Sequence, residues 1–274
     1  MSLVRTYQTL ICGATFSGIG MAIHQNNHHL IIESSSIVGN DFIECLNPGH
    51  NWKQTLKTQH AKELYLDMIK RNVLTEDDRV HLPAVYSLLC ERIQREKLNV
   101  MFLTDIVRVE KLVDGFEVTL HNVSGFTKIA VERIIDTTSS CLSNSSMRAV
   151  PLVKRINAYI DNSQAGAPLP NLSEHRNAQV VQGRFPSEVI FKLDIAPEDN
   201  WVAARRKLNE YWLLRPQPLM DWKMTSIAGA FEVVYEKPQQ FSKGWYWKPS
   251  CGHENLLQAY DSQIEQLTTK EDFQ

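Results

Sequence analysis

The sequence predicts an α/β protein with a parallel sheet, a β-meander and a second lobe of mixed α+β structure. The chain opens with an apolar segment, a glycine turn, a helical segment and a second apolar segment. Segments of alternating apolar residues follow between 99 and 131, and after residue 141 short apolar segments surround one amphipathic helix. Strands that alternate with helices favour a parallel sheet, whereas consecutive strands joined by short turns favour an antiparallel meander.

The composition is that of an ordinary soluble globular protein. The chain has 274 residues, a formal net charge of -2, 22% charged residues and 43% hydrophobic residues. These values give no reason to expect nucleic acid or an anionic membrane as a partner. Because no apolar segment reaches the roughly 18 residues needed to span a bilayer and no secretory pattern is present, we expect a cytoplasmic protein. The five scattered cysteines predict reduced, mostly buried thiols.

Periodicity defines the segments of the first lobe. The predicted segments are strands at 7–12 and 29–33, helices at 17–26, 59–70 and 82–96, a loop at 37–52, and strands at 99–103, 106–113, 116–121, 127–131 and 133–136. The crossover helix between the first two strands predicts that they lie parallel. Pro83 suits the first turn of its helix, and Asp114-Gly115 is a hairpin turn.

The segments after residue 141 are less regular. They comprise a loop at 162–177, strands within 179–195 on either side of Pro186, a helix at 200–213, a strand at 225–236, a loop holding GWYWKPSCG and a last helix at about 254–267. We expect Trp245, Tyr246 and Trp247 in that loop to pack in a core or interface, with stacking on a planar ligand as the alternative.

The turn after the first strand has the features of a Rossmann-like dinucleotide site. Such a site uses G-x-G-x-x-G because each glycine removes a side chain where the chain turns, where a diphosphate approaches or where the helix packs on the strand. Here the three positions are Gly13, Thr15 and Gly18. The backbone N–H groups of the next helix can bind a diphosphate. Glu33 ends the second strand, where a carboxylate accepts the ribose hydroxyls of an adenosine.

Thr15 at the middle glycine position leaves two outcomes open. A positive φ would cost a β-branched residue about 1 to 2 kcal/mol and would crowd the phosphates. With a negative φ the hydroxyl could donate to a phosphate oxygen, which is worth about 1.5 to 3 kcal/mol. A third interpretation is a βαβ unit whose glycines serve packing alone and whose Glu33 is solvated.

From residue 7 to 139 the chain resembles, in order, the FAD-dependent oxidoreductases with a glutathione-reductase-like fold. The matching segments are GATFSG, IIES, LPAVYSLLCERI, NVMFLTDIVRVEKLVDGFEVTLHN and RIIDTTS. Two glycines of the family are replaced by Thr15 and Ser139, and its Gly-Asp pair before the last helix is absent. The resemblance implies an FAD-binding lobe of residues 1–141 plus 244–274 and a substrate lobe of residues 142–243.

The resemblance also implies which residues bind FAD. They are Gly13, Ala14, Thr15, Phe16, Ser17, Gly18, Glu33, Ser34, Val107, Thr138, Ser139 and Gly252. A flavin supplies hydride or electron transfer by itself, so no catalytic acid or base is predicted. The substrate would be an unknown small molecule, and NAD(P)H or a protein would be the electron partner.

Two other functions stay open. A degenerate member could keep the fold, lose the cofactor and act as a binding or scaffold protein, as the side chains at Thr15 and Ser139 suggest. Alternatively, NAD(P) could be the sole nucleotide, in which case Glu33 would disfavour NADP.

No metal site is predicted. We interpret His28 and His29 as a surface pair, because no acidic or thiol partner lies at ligand spacing. Cys251 and His253 are loop residues, half a metal site or a thiol-imidazole couple.

Overall fold

The computed structural model describes residues 5–24, 28–162, 164, 167–186 and 188–263. The helices are α1 Phe16–His24, α2 Gln59–Lys70, α3 Leu82–Arg95, α4 Trp201–Leu213 and α5 Leu256–Tyr260. The strands are β1 Arg5–Cys12, β2 His29–Ile32, β3 Val100–Met101, β4 Asp105–Leu112, β5 Gly115–Asn122, β6 Gly125–Asp136, β7 Val153–Asp161, β8 Ala178–Gln182, β9 Glu188–Asp194, β10 Lys223–Ile227, β11 Glu232–Val234, β12 Gln239–Ser242 and β13 Trp245–Trp247.

The first sheet confirms the predicted fold class. Its strands run in the order β12-β13-β6-β1-β2-β3, and β13, β6, β1, β2 and β3 are mutually parallel. Strands β4 and β5 extend β6 as an antiparallel meander. One core lies where α1, α2, α3 and α5 cover the sheet, and another lies where the meander covers strands β1 and β2. The α/β class with a Rossmann-like sheet and a meander is therefore correct.

One long strand replaces the two that the sequence predicts at 127–131 and 133–136. Strand β6 pairs antiparallel with β5 through its first half and parallel with β1 from Ile129 to Asp136. Its burial changes along its length, from mostly exposed residues near Gly125, through alternation around Ile129 and Val131, to complete burial at Ile134, Ile135 and Asp136. This change interrupts the alternation, so the sequence pattern divides a strand that is continuous in the structure.

The GWYW segment is a strand, which corrects the predicted loop. Trp245, Tyr246 and Trp247 pair in parallel with the end of β6. The four residues between Gly244 and Pro249 are too few to show a period. Trp247 is fully buried and its indole Nε1 donates to the carbonyl oxygen of Thr138 at 2.8 Å. The packing interpretation of this aromatic residue is therefore confirmed.

The second sheet is antiparallel, with the order β10-β7-β9-β8 and with β11 also paired to β7. Helix α4 packs its apolar residues against this sheet. The sequence misses the central strand β7, and its single strand at 225–236 is β10 and β11 in the structure. The last helix begins at Leu256, and positions 264–267 of its predicted range lie outside the described residues, as do positions 25 and 26 of the first helix.

A buried polar group joins the second sheet to the loop that follows β2. The amide of Asn157 donates to the carbonyl oxygen of Cys45 at 2.7 Å and to Glu232 Oε2 at 2.6 Å. Lys192 Nζ donates to Asn47 Oδ1 at 3.0 Å and lies 2.7 Å from Glu232 Oε2. Each buried charge therefore has a partner, and the two sheets meet along this loop.

None of the helices in the described ranges is long and apolar enough to cross a bilayer.

Helix α1 approaches α5 closely, which gives a stability prediction. A Cβ at Gly20 would overlap the carbonyl oxygen of Tyr260. We expect Gly20→Ala to lower the free energy of unfolding by about 1 to 3 kcal/mol, because backbone must move to accept the methyl group. The control is Gly252→Ala, since a Cβ at Gly252 has open space. Urea denaturation measures the free energy of unfolding of both variants. A Gly20→Ala variant as stable as the Gly252→Ala control would contradict the close approach of the two helices.

Candidate functional site

The glycine turn lies between β1 and α1, as predicted. Gly13 has a φ of 98°, and a Cβ there would lie 2.8 Å from Thr138 Cγ2 and 2.9 Å from Thr15 Cγ2. A Cβ at Gly18 would overlap the carbonyl oxygen of Gly13. The first glycine therefore provides the turn and the last provides the packing of helix on strand.

The hydroxyl of Thr15 caps helix α1. Thr15 is not among the residues with a positive φ. Its Oγ1 accepts from the backbone N of Gly18 at 3.0 Å and lies 2.7 Å from Thr137 Oγ1, which in turn donates to the carbonyl oxygen of Cys12 at 2.8 Å. Because the hydrogen of Thr137 is directed to Cys12, the hydrogen of Thr15 is directed to Thr137. No hydroxyl hydrogen of Thr15 is left for a phosphate oxygen.

The first two amides of α1, those of Phe16 and Ser17, also face side chains of the protein. The backbone N of Phe16 donates to Asp41 Oδ2 at 3.4 Å, and the backbone N of Ser17 donates to Ser250 Oγ at 3.1 Å. Ser250 Oγ also donates to Asp41 Oδ2. A carboxylate and two hydroxyls therefore occupy the positive end of the helix, where a diphosphate was predicted.

Asp41 is in an unusual environment for an acid. Burial raises its pKa from the ordinary value of 3.8 to about 7, although the hydrogen bonds from Ser250 and Phe16 act in the opposite direction. Its Oδ1 is buried and, among the described residues, has no hydrogen-bond partner. The nearby carboxylate of Glu33 raises the pKa further. Asp41 therefore changes its charge near neutral pH.

Glu33 lies at the end of β2, at the predicted ribose position. Its Oε2 accepts from the backbone N of Ala14 at 2.9 Å, and its Oε1 accepts from the backbone N and Oγ of Ser35 at 2.9 and 2.8 Å. A carboxylate has about four acceptor positions. The side chain therefore keeps some capacity to accept from a hydroxyl or an amine, although it is buried.

Asp136 shapes the opposite wall of the site. It ends β6, is fully buried, and accepts from the backbone N of Thr138 at 2.9 Å and from the backbone N of Ser143 at 2.6 Å. These bonds hold the loop that carries Thr138 and Ser139. Ser139 is exposed, and its carbonyl oxygen accepts from the hydroxyl of Tyr235 at 2.8 Å.

A cleft of about 340 Å³ lies beside the turn and joins several of the predicted residues. Its predicted lining residues are Thr15, Glu33, Ser34, Thr138 and Ser139. Behind this wall, buried in the turn and the start of α1, lie Gly13, Ala14, Phe16, Ser17 and Gly18.

The structure does not bring Val107 or Gly252 to the cleft. Val107 lies on β4 with 55% of its surface exposed. Gly252 borders a separate cavity of about 110 Å³.

Sequence reasoning missed several residues of the cleft. They belong to the loop after β2 and to the segment between β10 and β11, and they include Asn40, Asp41, Glu44, Gly229 and Phe231. Two acids in a loop rich in Gly and Asn were the available signal, and an acid in a loop is ordinarily a solvated residue.

The charge of the cleft is negative. Glu33, Asp41 and Glu44 line it, and within the described part of the chain no lysine, arginine or histidine does. Anion sites in proteins use N–H donors and cations. The ribose end at Glu33 suits a nucleoside, but the helix end is capped and the cleft is acidic. The described residues therefore do not fit FAD held by its diphosphate on α1.

Cys251 and His253 do not form a charged couple. Burial raises the pKa of the Cys251 thiol, and burial together with Lys248 lowers the pKa of His253 to about 4. Both groups are therefore neutral at neutral pH. In the described ranges no three metal-ligating side chains come together. The predicted surface pair is wrong for His29, which is 3% exposed, whereas His28 is exposed.

Asp41 gives the protein a pH-dependent stability. Because folding raises its pKa from 3.8 to about 7, the folded state binds this proton more tightly, and stability falls as pH rises from about 4 to about 7. The slope from this group is at most about 1.4 kcal/mol per pH unit. We expect Asp41→Asn to remove it and the exposed control Asp221→Asn to keep it, as measured by urea denaturation across this pH range. Parallel stability curves for parent and Asp41→Asn would contradict the assignment.

No protein-family model and no curated protein matches the chain. Solved structures do match. The p-nitrophenol 4-monooxygenase of Pseudomonas putida has a TM-score of 0.57 and 13% identity, over 92% of this chain and 74% of that one. The myxobacterial chondrochloren halogenase, a variant of FAD-dependent halogenases, has a TM-score of 0.58 and 12% identity, over 89% and 68%. A geranylgeranyl bacteriochlorophyll reductase-like protein of Thermoplasma acidophilum has a TM-score of 0.58 and 9% identity, over 94% and 76%. At such identities the similarity shows the fold alone: the chain shares the fold of FAD-dependent monooxygenases and halogenases.

Proposed function

We propose that the chain is a small-molecule-binding protein built on a flavoenzyme fold, in which side chains of the protein take the place of the FAD diphosphate. The single observation that carries this proposal is the carboxylate of Asp41, held at the first amide of α1 by Phe16 and Ser250. The sequence left open a protein that keeps the fold, loses the cofactor and acts in binding or as a scaffold. The proposed function is the binding form of that alternative.

The energetics support this function. A diphosphate on α1 would have to displace Asp41 and Ser250 and then lie near the carboxylates of Glu33 and Glu44. Two like unit charges about 4 Å apart near a protein surface repel by about 4 kcal/mol. The helix amides gain little in exchange, since they are already hydrogen-bonded. The net effect opposes the binding of a diphosphate.

The shape of the cleft also supports a small ligand. Its volume of about 340 Å³ is at the lower end of the range of about 300 to 1,000 Å³ found for ligand sites. The hydroxyl-bearing residues Thr15, Ser34 and Ser139 line it in addition to the acids. We expect a compact ligand that donates hydrogen bonds.

An FAD-dependent oxidoreductase is the second candidate function. The similarity of this chain's fold to the solved structures above favours this candidate. In that function the predicted turn, Glu33 and the Thr138 loop would hold FAD between the lobes 1–141 plus 244–274 and 142–243. FAD would supply hydride or electron transfer between an unknown substrate and NAD(P)H or a protein partner. The glutathione-reductase-like assignment belongs to this candidate, which requires Asp41 and Ser250 to leave the helix.

The absorbance spectrum of the purified protein separates the two candidates. We expect no flavin absorbance in the near ultraviolet and blue, and no thermal stabilisation by added FAD, because a ligand that binds only the folded state would raise the melting temperature. FAD that co-purifies near one equivalent would overturn the proposal and establish the oxidoreductase.

A variant tests whether Asp41 is the obstacle. Asp41→Ala removes the carboxylate from the amide of Phe16, so we expect its affinity for ADP to rise about tenfold over the parent, which corresponds to about 1.4 kcal/mol. Isothermal titration calorimetry measures this affinity, and the exposed control Asp221→Asn should bind ADP as the parent does. An Asp41→Ala variant that gains no affinity would show that the obstacle lies elsewhere.

A further inference from the structure

A second cavity lies next to the cleft. It has a volume of about 520 Å³ and shares three wall residues with the cleft, namely Ile37, Glu44 and Gly229. The backbone N groups of Gly229 and Ala230 donate to the carbonyl oxygen of Glu44 at 2.8 and 3.2 Å, which holds this junction together. The two spaces are therefore neighbours, and Glu44 lines both of them.

The second cavity is mainly apolar and aromatic. Its wall contains Ile43, Leu46, Pro83, Tyr86 and Tyr159. Tyr86 leaves 37% of its surface exposed, although it is a large amphipathic side chain. Such walls bind the apolar or aromatic body of a ligand, and tyrosine faces also attract cations.

Glu44 differs from the other acids of the site. The carboxylates of Glu33 and Asp41 accept hydrogen bonds from the protein, whereas no donor in the described part of the chain bonds the carboxylate of Glu44. This half-buried carboxylate lies over the backbone of Gly229, because a Cβ there would overlap Glu44 Oε2. A cation with N–H donors would give this carboxylate a charge-assisted hydrogen bond.

Among the described residues that line the two cavities, the charged ones are all acidic. None of the described residues that line the second cavity is a lysine, arginine or histidine, as is also true of the cleft. A cleft lined by one sign of charge concentrates ligands of the opposite sign. An organic anion therefore lacks a partner in this site, and an organic cation has one.

We infer that this second cavity binds a protonated amine that carries an apolar or aromatic body, with the ammonium group at Glu44 and the body beside Tyr86 and Tyr159. The inference rests on the proposed function, because it needs a cleft that FAD does not fill. It names the class of ligand that the proposed binding protein takes.

Three probes of similar size test the charge preference. Phenethylamine, phenylethyl alcohol and phenylacetate differ in the charge of one end and are titrated into the full chain by calorimetry at neutral pH. We expect the amine to bind at least about tenfold more tightly than the alcohol, as a charge-assisted hydrogen bond allows, and phenylacetate to bind most weakly. An amine that binds no more tightly than the alcohol overturns the inference.

Two variants test whether Glu44 causes the preference for the amine. Glu44→Gln should weaken amine binding about tenfold and leave the alcohol unchanged, whereas the exposed control Glu174→Gln should change neither. Gly229→Ala keeps every charge but displaces the carboxylate, so it should also weaken amine binding. Melting curves confirm that each variant folds. Parent-like amine affinity in Glu44→Gln overturns the inference even if the amine binds.

The flavin absorbance and the thermal stabilisation by FAD separate a failure of this inference from a failure of the proposed function. A protein that neither holds FAD nor prefers the amine refutes this inference and leaves the proposed binding function intact. A protein that holds FAD near one equivalent refutes the proposed function, and this inference with it.

Discussion

The hydrogen bonds along strand β6 connect every part of the first sheet. Its first half pairs with β5, its second half pairs with β1, and its last three residues also pair with β13. The meander, the βαβ unit and the C-terminal strand therefore share one backbone. Asp136 stands at the end of this strand and holds the loop that forms one wall of the cleft. The position of the site is thus a consequence of where β6 ends.

The start of α1 shows how the first amides of a helix after a dinucleotide-type glycine turn can be hydrogen-bonded without a nucleotide. A helix leaves its first amides without partners in its own backbone, and in this fold class a phosphate commonly takes them. Here Thr15, Asp41 and Ser250 take them instead. The glycines at 13 and 18 remain because the turn and the packing require them, whatever the ligand. A glycine pattern therefore reports backbone geometry more directly than it reports a cofactor.

Local sequence was sufficient for the elements whose pattern is local. The βαβ unit, α2, α3, the meander and the place of Glu33 follow from periodicity and turn residues. Strand β7 was missed although Ile156, Ala158 and Ile160 alternate along it, and its other face carries Asn157, a polar residue that is also fully buried. The side-chain nitrogen of Asn157 donates to the carbonyl oxygen of Cys45 and to Glu232, which are 112 and 75 positions away, so local sequence does not account for its burial.

Asp41 could not be predicted for a similar reason. Its partners Phe16 and Ser250 lie 25 and 209 positions away, and only the folded chain brings the three together. Side chains whose role depends on such distant contacts carry no periodic signal of their own. The part of the candidate site that decides between ligands is therefore the part that local patterns describe least.

Ser250 has a consequence for how the chain folds. It reaches the amide of Ser17 across 233 positions, and β13 joins β6 from the same distant segment. During synthesis the first βαβ unit leaves the ribosome long before the residue that completes its helix exists. Closing so long a loop is slow, because its entropy is lost before the contact forms. The start of α1 therefore receives its last hydrogen-bond partner late in synthesis, and a fragment that stops before β13 would lack Ser250 and leave the amide of Ser17 without that partner.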